Sequence, residues 1–152
     1  MNKTNTLVSI VVPTYNHSIY LKRALESIID QTYENWEVIV IDNHSTDNTS
    51  KVVANFKNNR IKYLKVHNKG IIALSRNIGI KSANGEWIAF LDSDDWWTRD
   101  KLEICIKNIN ENVDFIYHDL EIRSNKPRIF GRKKIKSRRL KKPVLIDLLI
   151  EG

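Results

Sequence analysis

The chain has 152 residues, 41% hydrophobic and 28% charged, with 25 Lys and Arg against 18 Asp and Glu. That size and balance suit a globular chain with a sizeable core. Its single cysteine excludes an internal disulfide, which points to a reducing, cytoplasmic setting. No stretch approaches the ~20 apolar residues that a membrane-spanning helix needs.

Residues 7–13 (LVSIVVP) read as a buried strand, too short for the apolar core of a secretory leader and closed by Pro13. Residues 18–31 put Leu21, Ala24, Leu25, Ile28 and Ile29 on one face and predict a helix. A second, β-branched strand spans 37–41 (EVIVI) and ends at Asp42. The polar run 44–50 (HSTDNTS) supplies caps for a helix through Val52, Val53 and Phe56. Residues 61–66 (IKYLKV) form a third, amphipathic strand; after Gly70, residues 71–83 predict a helix carrying Ser75, Arg76 and Asn77.

Residues 85–97 (GEWIAFLDSDDWW) organise the rest. Ile88, Ala89, Phe90 and Leu91 are a continuous apolar run, the pattern of a strand buried on both faces. Where it ends, Asp92-Ser93-Asp94-Asp95 places three carboxylates within four residues. Like charges this close repel, by about 1 kcal/mol or more per pair near a protein surface. A hard divalent cation with phosphate co-ligands would offset them; the bland alternative is that Asp95 or Thr98 caps the next helix and the other acids are solvated. That helix is expected over 98–110, with Leu102, Cys105, Ile106 and Ile109 as its apolar stripe. Residues 114–122 (DFIYHDLEI) read as a fifth strand.

The excess positive charge is local. Residues 123–142 hold 11 Lys or Arg and no acid, whereas the rest of the chain sets 14 basic residues against 18 acidic ones, a net of −4. Only Phe130 interrupts the basic run as an aromatic, so a nucleic-acid interface, which pairs basic residues with stacking rings, is the weakest reading. A short helix over 144–150 follows.

Strands alternating with helices predict an α/β domain with a mainly parallel sheet, in which ligands bind at the carboxyl ends of strands. Three such ends are chemically loaded: Pro13-Thr14-Tyr15-Asn16, Asp42-Asn43-His44-Ser45 and Asp92-Ser93-Asp94-Asp95. Tyr15 beside Asp42 or Asn43 could hold a nucleobase by stacking and hydrogen bonding; taken singly, Tyr15 reads as a core-edge tyrosine and 42–47 as a helix cap. Neither G-x-G-x-x-G nor G-x-x-x-x-G-K-[ST] occurs, so no glycine cradle is available for phosphates. The carboxylate cluster holding a metal could neutralise them instead.

The segments 8–16 (VSIVVPTYN), 38–49 (VIVIDNHSTDNT) and 73–95 (ALSRNIGIKSANGEWIAFLDSDD), with the helix that follows, stand in an order that resembles the inverting family 2 glycosyltransferases of the GT-A fold over roughly residues 7–120. The resemblance implies a Rossmann-like open sheet and a nucleotide-sugar donor. It implies that Pro13, Thr14 and Tyr15 lie against base and ribose and that Asp42 and Asn43 reach the base. It makes Asp92 and Asp94 the D-x-D pair around Ser93, with Asp94 the direct ligand of Mn²⁺ or Mg²⁺ and Asp92 nearer the ribose. Arg76 matches the family's A-x-x-R-N-x-G segment and either contacts donor phosphates or orders the acids. Asn43 stands where the family usually has an acid.

The expected division is a donor-binding domain over 1–122 and a basic connector over 123–152. The catalytic base is expected beyond Gly152, since Asp119 and Asp147 have simpler readings as strand-end and helix-surface residues. The expected activity is sugar transfer to a glycan or lipid-linked acceptor in cell-surface polysaccharide synthesis, in the cytoplasm or at the inner face of an anionic membrane. The alternative is a non-catalytic nucleotide-sugar-binding or membrane-associated module.

Overall fold

A computed structural model describes residues 5–122 and 133–136. The chain divides into two compact units, Met1–Ile109 and Asn110–Gly152.

In the first unit, β1 (Val8–Thr14), β2 (Trp36–Asp42), β3 (Ile61–Lys65) and β4 (Trp87–Phe90) form one sheet in the order β3-β2-β1-β4, every pair parallel. Four helices connect or follow them: α1 (Ser18–Ile29), α2 (Thr49–Asn55), α3 (Ile72–Lys81) and α4 (Lys101–Asn108). The chain runs outward from β1 through β2 to β3, then returns to the other side of β1 for β4. Strand order therefore reverses at β1, the position where open α/β sheets bind ligands.

β1 and β2 are buried along their whole length because helices cover both faces. Their alternate residues divide the core. Ile10, Val12, Val38 and Val40 pack with Leu21, Leu25 and Ile28 of α1 and Leu102 and Ile106 of α4. Val11, Ile39 and Ile41 face the other way, against Ile78 of α3 and Ile88. Gly79 lets α3 close onto that second face: a β-carbon there would lie 2.3 Å from Val11 Cγ1.

Three expectations need correcting. β4 is not buried on both faces. Among the described residues it pairs only with β1, and Phe90 is 47% exposed, because an edge strand lacks a neighbour to cover it. Strand character within 114–122 is confined to Leu120–Ile122 (β5), which pairs antiparallel with Lys133–Ile135 (β6) in the second unit instead of extending the parallel sheet. Phe115 at 61% exposure and Leu120 at 49% show that its apolar residues do not enter a two-sided core. The helix expected from Thr98 begins only at Lys101, behind Asp100. Neither Asp95 nor Thr98 caps it: the Thr98 carbonyl accepts from the Lys101 N–H and from Gln31 Nε2, and Asp95 donates its N–H to Asp92 in a turn. On α4 the stripe is buried at Leu102 and Ile106, while Cys105 is half-buried. The segment expected as a helix over 144–150, and most of the basic run, lie outside the described residues.

Candidate functional site

Because β1, β2 and β4 are parallel neighbours, their carboxyl ends share one edge of the sheet. Pro13 and Thr14 end β1 and are buried, whereas Tyr15 turns outward at 54% exposure. The Thr14 carbonyl accepts the Asn43 N–H at 3.0 Å, which fixes the first two ends against each other. Thr14 Oγ1 is buried and has no hydrogen-bond partner among the described residues. A buried hydroxyl without a partner costs about 1–3 kcal/mol, so this one is poised for a ligand or water.

Asp42 is fully buried, and both its oxygens are in use. Oδ1 accepts from the Ser45 N–H at 2.9 Å and from the Ser45 hydroxyl, and Oδ2 accepts from the Tyr63 hydroxyl. Burial, then the bond and charge of Asp42, push the Tyr63 phenol well above its ordinary range, so it stays a donor. In this structure the Asp42 carboxylate faces inward, holding the loop and β3 in place. Asn43 is half-buried, and its Oδ1 accepts the Asn68 N–H at 3.0 Å. Asn68 is itself buried and donates from Nδ2 to Ser75 Oγ at 2.9 Å, one residue before Arg76. His44 adopts a φ of +53° and stacks on His67 with centroids 3.8 Å apart.

A second carboxylate joins the loops. Asp47 accepts the Ser18 N–H on Oδ2 and the Thr49 N–H on Oδ1, both at 2.9 Å, so one side chain serves the first turns of α1 and α2. Burial alone would raise its carboxyl, but the bonds from Thr49 and Ser18 together outweigh it and hold the group at about 2. The helix caps anticipated in 44–50 thus converge on this one residue.

At the end of β4, Arg76 Nη2 donates to Asp92 Oδ1 at 2.7 Å, so Arg76 orders one acid of the cluster. Arg76 Nε is buried without a partner among the described residues. Ser93 is buried, its hydroxyl 3.0 Å from His17 Nδ1. Asp94 and Asp95 are exposed. Desolvation, then the charges of Asp94 and Asp92, raise the Asp95 carboxyl, and Arg23 only partly counters them. The cluster therefore carries negative charge that the protein does not fully balance. Among the described residues no group of three or more His, Cys, Asp or Glu side chains is arranged to hold a metal unaided. The donor set fits a hard cation that also takes oxygens from a ligand.

The sequence pointed to Pro13, Thr14, Tyr15, Asp42, Asn43, Arg76, Asp92, Ser93 and Asp94, and the structure brings all of them to the same sheet edge. It adds Tyr63, Asn68, Ser75, His17 and Arg23, which act through those residues. Tyr63 was traceable from the i, i+2 spacing of the third strand, which sets Ile61, Tyr63 and Lys65 on one side beside β2.

A family model described as glycosyl transferase family 2 matches residues 9–148. The chain belongs to this family. It is 42% identical over 120 residues to the Escherichia coli UDP-Glc:alpha-D-GlcNAc-diphosphoundecaprenol beta-1,3-glucosyltransferase WfgD, covering 78% of this chain and 47% of that protein. To the Bacillus subtilis putative teichuronic acid biosynthesis glycosyltransferase TuaG it is 36% identical, over 68% of this chain and 42% of the relative. Among solved structures, S. aureus TarS 1-349 in complex with UDP-GlcNAc matches with a TM-score of 0.63 at 34% identity, over 66% of this chain and 30% of that one. A mannosyltransferase from Pyrobaculum calidifontis in complex with GDP-Man and Mn²⁺ matches with a TM-score of 0.61 at 29% identity, over 66% and 31%. The family 2 chain thus has the GT-A architecture and spans less than half the length of these relatives.

Proposed function

We propose that this family 2 chain is the donor-binding part of an inverting enzyme that moves a sugar from a nucleoside diphosphate, most simply UDP, to a glycan or lipid-linked acceptor in cell-surface polysaccharide synthesis. One observation carries the reading. A carboxylate cluster only partly offset by arginine lies on the same sheet edge as an outward tyrosine ring and a buried hydroxyl that has no partner among the described residues, in a sequence without a glycine cradle. TarS and WfgD, whose names carry UDP-GlcNAc and UDP-Glc, support a UDP donor.

In this reading Tyr15 stacks on the base, Asn43 meets its edge, and Asp42 holds Ser45 and Tyr63 behind them. Pro13 and the Thr14 hydroxyl flank the ribose, with Asp92 close by. Arg76, already anchored on Asp92, directs its unused donors toward the diphosphate. Asp94, with Asp92 beside it, would hold Mn²⁺ or Mg²⁺, which stabilises the negative charge developing on a departing diphosphate. Inversion needs an acceptor hydroxyl on the far side of the anomeric carbon and a base to take its proton. We assign that base to the remaining half of the enzyme, so residues 1–122 are the donor domain and 123–152 the connector toward it. The whole enzyme would work in the cytoplasm, against the membrane face that carries a lipid-linked acceptor.

Calorimetry of UDP binding with and without Mn²⁺ tests the assignment. Weak, metal-dependent binding is expected for the wild type and should be lost in Asp94→Asn. Equal affinity in both proteins, or no effect of metal, would sink it.

A further inference from the structure

The loop that carries the acids, 91–100, has no helix or strand of its own, yet several of its residues are tied to α1 and its flanks. Along one side of α1 and its flanks, His17 meets Ser93, Ser27 Oγ accepts the Trp97 N–H at 3.2 Å, and Gln31 donates to the Thr98 carbonyl at 2.8 Å. Arg23 sits in the middle of this row. Its Nη2 donates to the Asp94 carbonyl at 2.6 Å, and its guanidinium carbon lies over the Trp96 ring, 3.8 Å from the centroid. Among the described residues it forms no salt bridge to a carboxylate, unlike Arg76 on the other side of the cluster. A planar guanidinium can do both jobs at once, stacking through its face and donating from its edge, which an ammonium cannot.

We propose that Arg23 is a positioning residue for the phosphate and metal end of the site. It acts through the Asp94 backbone and the Trp96 ring, and does not touch the nucleotide. The reading rests on the donor-site assignment above. Fixing the backbone of Asp94 fixes where its carboxylate can point, and the nearby positive charge lowers the repulsion among three acids before any cation arrives. Preorganisation of this kind lowers the ordering cost of binding without adding a contact to the ligand. The base end of the site, built on β1 and β2, is independent of Arg23.

The test uses the 152-residue chain as wild type, Arg23→Ala, Arg23→Lys and, as a control on the neighbouring exposed residue paired with Glu26, Lys22→Ala. Mn²⁺ is titrated at fixed UDP and followed by its electron paramagnetic resonance signal, and uridine binding is read by saturation-transfer NMR. In Arg23→Ala the Mn²⁺ concentration for half-saturation should rise on the order of tenfold, the loss of one charge-assisted bond. Arg23→Lys should recover only part of this, while Lys22→Ala and uridine binding stay unchanged. An unaltered Mn²⁺ requirement in Arg23→Ala overturns the proposal, as does a parallel loss of uridine binding, which would mean a general structural defect. If the wild type itself shows no Mn²⁺-dependent UDP binding, the donor-site reading falls and this inference with it.

Discussion

Far from the acids, at the amino ends of the strands, Glu37 ties the sheet together and sets its sensitivity to acid. Its residue is 7% exposed, and its carboxylate accepts from Ser9 Oγ on β1 at 2.7 Å, Lys62 Nζ on β3 at 2.8 Å, and the Asn84 N–H and Nδ2 before β4 at 2.6 and 3.0 Å. Ser9 in turn accepts the Gly85 N–H at 2.8 Å, so one carboxylate links all four strands. Burial alone would raise the Glu37 carboxyl; Lys62, Asn84 and Ser9 outweigh it and lower the group from 4.5 to about 2. A depressed carboxyl stabilises the fold fully above its unfolded value and loses that stability as pH falls through the folded value. At 1.36 kcal/mol per unit, the shift corresponds to an upper figure of about 3 kcal/mol, present above about pH 4.5 and lost toward pH 2. Glu37→Gln removes the charge and turns an amide N–H₂ toward groups that donate to the carboxylate, Lys62 Nζ and the Asn84 N–H among them, so it should cost a similar amount at pH 7. Urea denaturation of both proteins at pH 7, 5, 4 and 3 measures this. The stability gap should be widest at pH 7 and narrow below pH 4.5, with the denaturant slope unchanged. A gap below about 0.5 kcal/mol at pH 7, or one that stays constant down to pH 3, would refute the reasoning, since it would place the effect in packing and not in charge.

Gly79→Ala should destabilise the fold by about 1–3 kcal/mol, because its β-carbon would strike Val11 in a core with no room to give; a thermal midpoint equal to wild type would show that α3 can back away. The 152-residue chain should not elongate a glycan from a UDP-sugar, since orienting an acceptor and removing its proton supply much of the chemical step. Robust product formation in a radiolabelled-sugar assay would place the base within these residues. The basic run 123–142 should bind anionic vesicles at low salt, at about 1 kcal/mol per residue close to the surface. Co-sedimentation unchanged when the basic residues of 132–142 are neutralised would leave it a connector only.

The parallel sheet and α1 to α3 were legible because continuous β-branched runs and a 3.6-residue apolar period rarely mean anything else in a chain this short. The three loaded strand ends were legible for a related reason: polar residues directly after a buried strand must sit at its carboxyl edge. The errors arose where long-range contacts override local pattern. Nothing local to Thr98 announces that Gln31, 67 residues away, will take its carbonyl and delay α4 to Lys101. Alternation in 114–122 suggested a sheet strand, but a period of two says nothing about which partner a strand finds. Arg23 was hidden similarly, as an ordinary polar position on an amphipathic helix whose partner lies 71 residues on. The inward turn of Asp42 was half visible, since it closes a run whose every other member is buried.

Asp47 makes the loops after β1 and β2 a single piece of architecture. With one oxygen on the first turn of α1 and the other on the first turn of α2, it leaves neither loop free to change length by itself. Asn16 reinforces this by donating its N–H to Ser45 and accepting from the Thr46 N–H. If the proposed donor site holds, exchanging its nucleotide preference with that of a relative therefore requires transplanting residues 15–18 and 43–49 together. Swapping the second loop alone would replace the proposed base contacts and, in the same cut, unfasten the start of the helix on which the acidic loop is laid out.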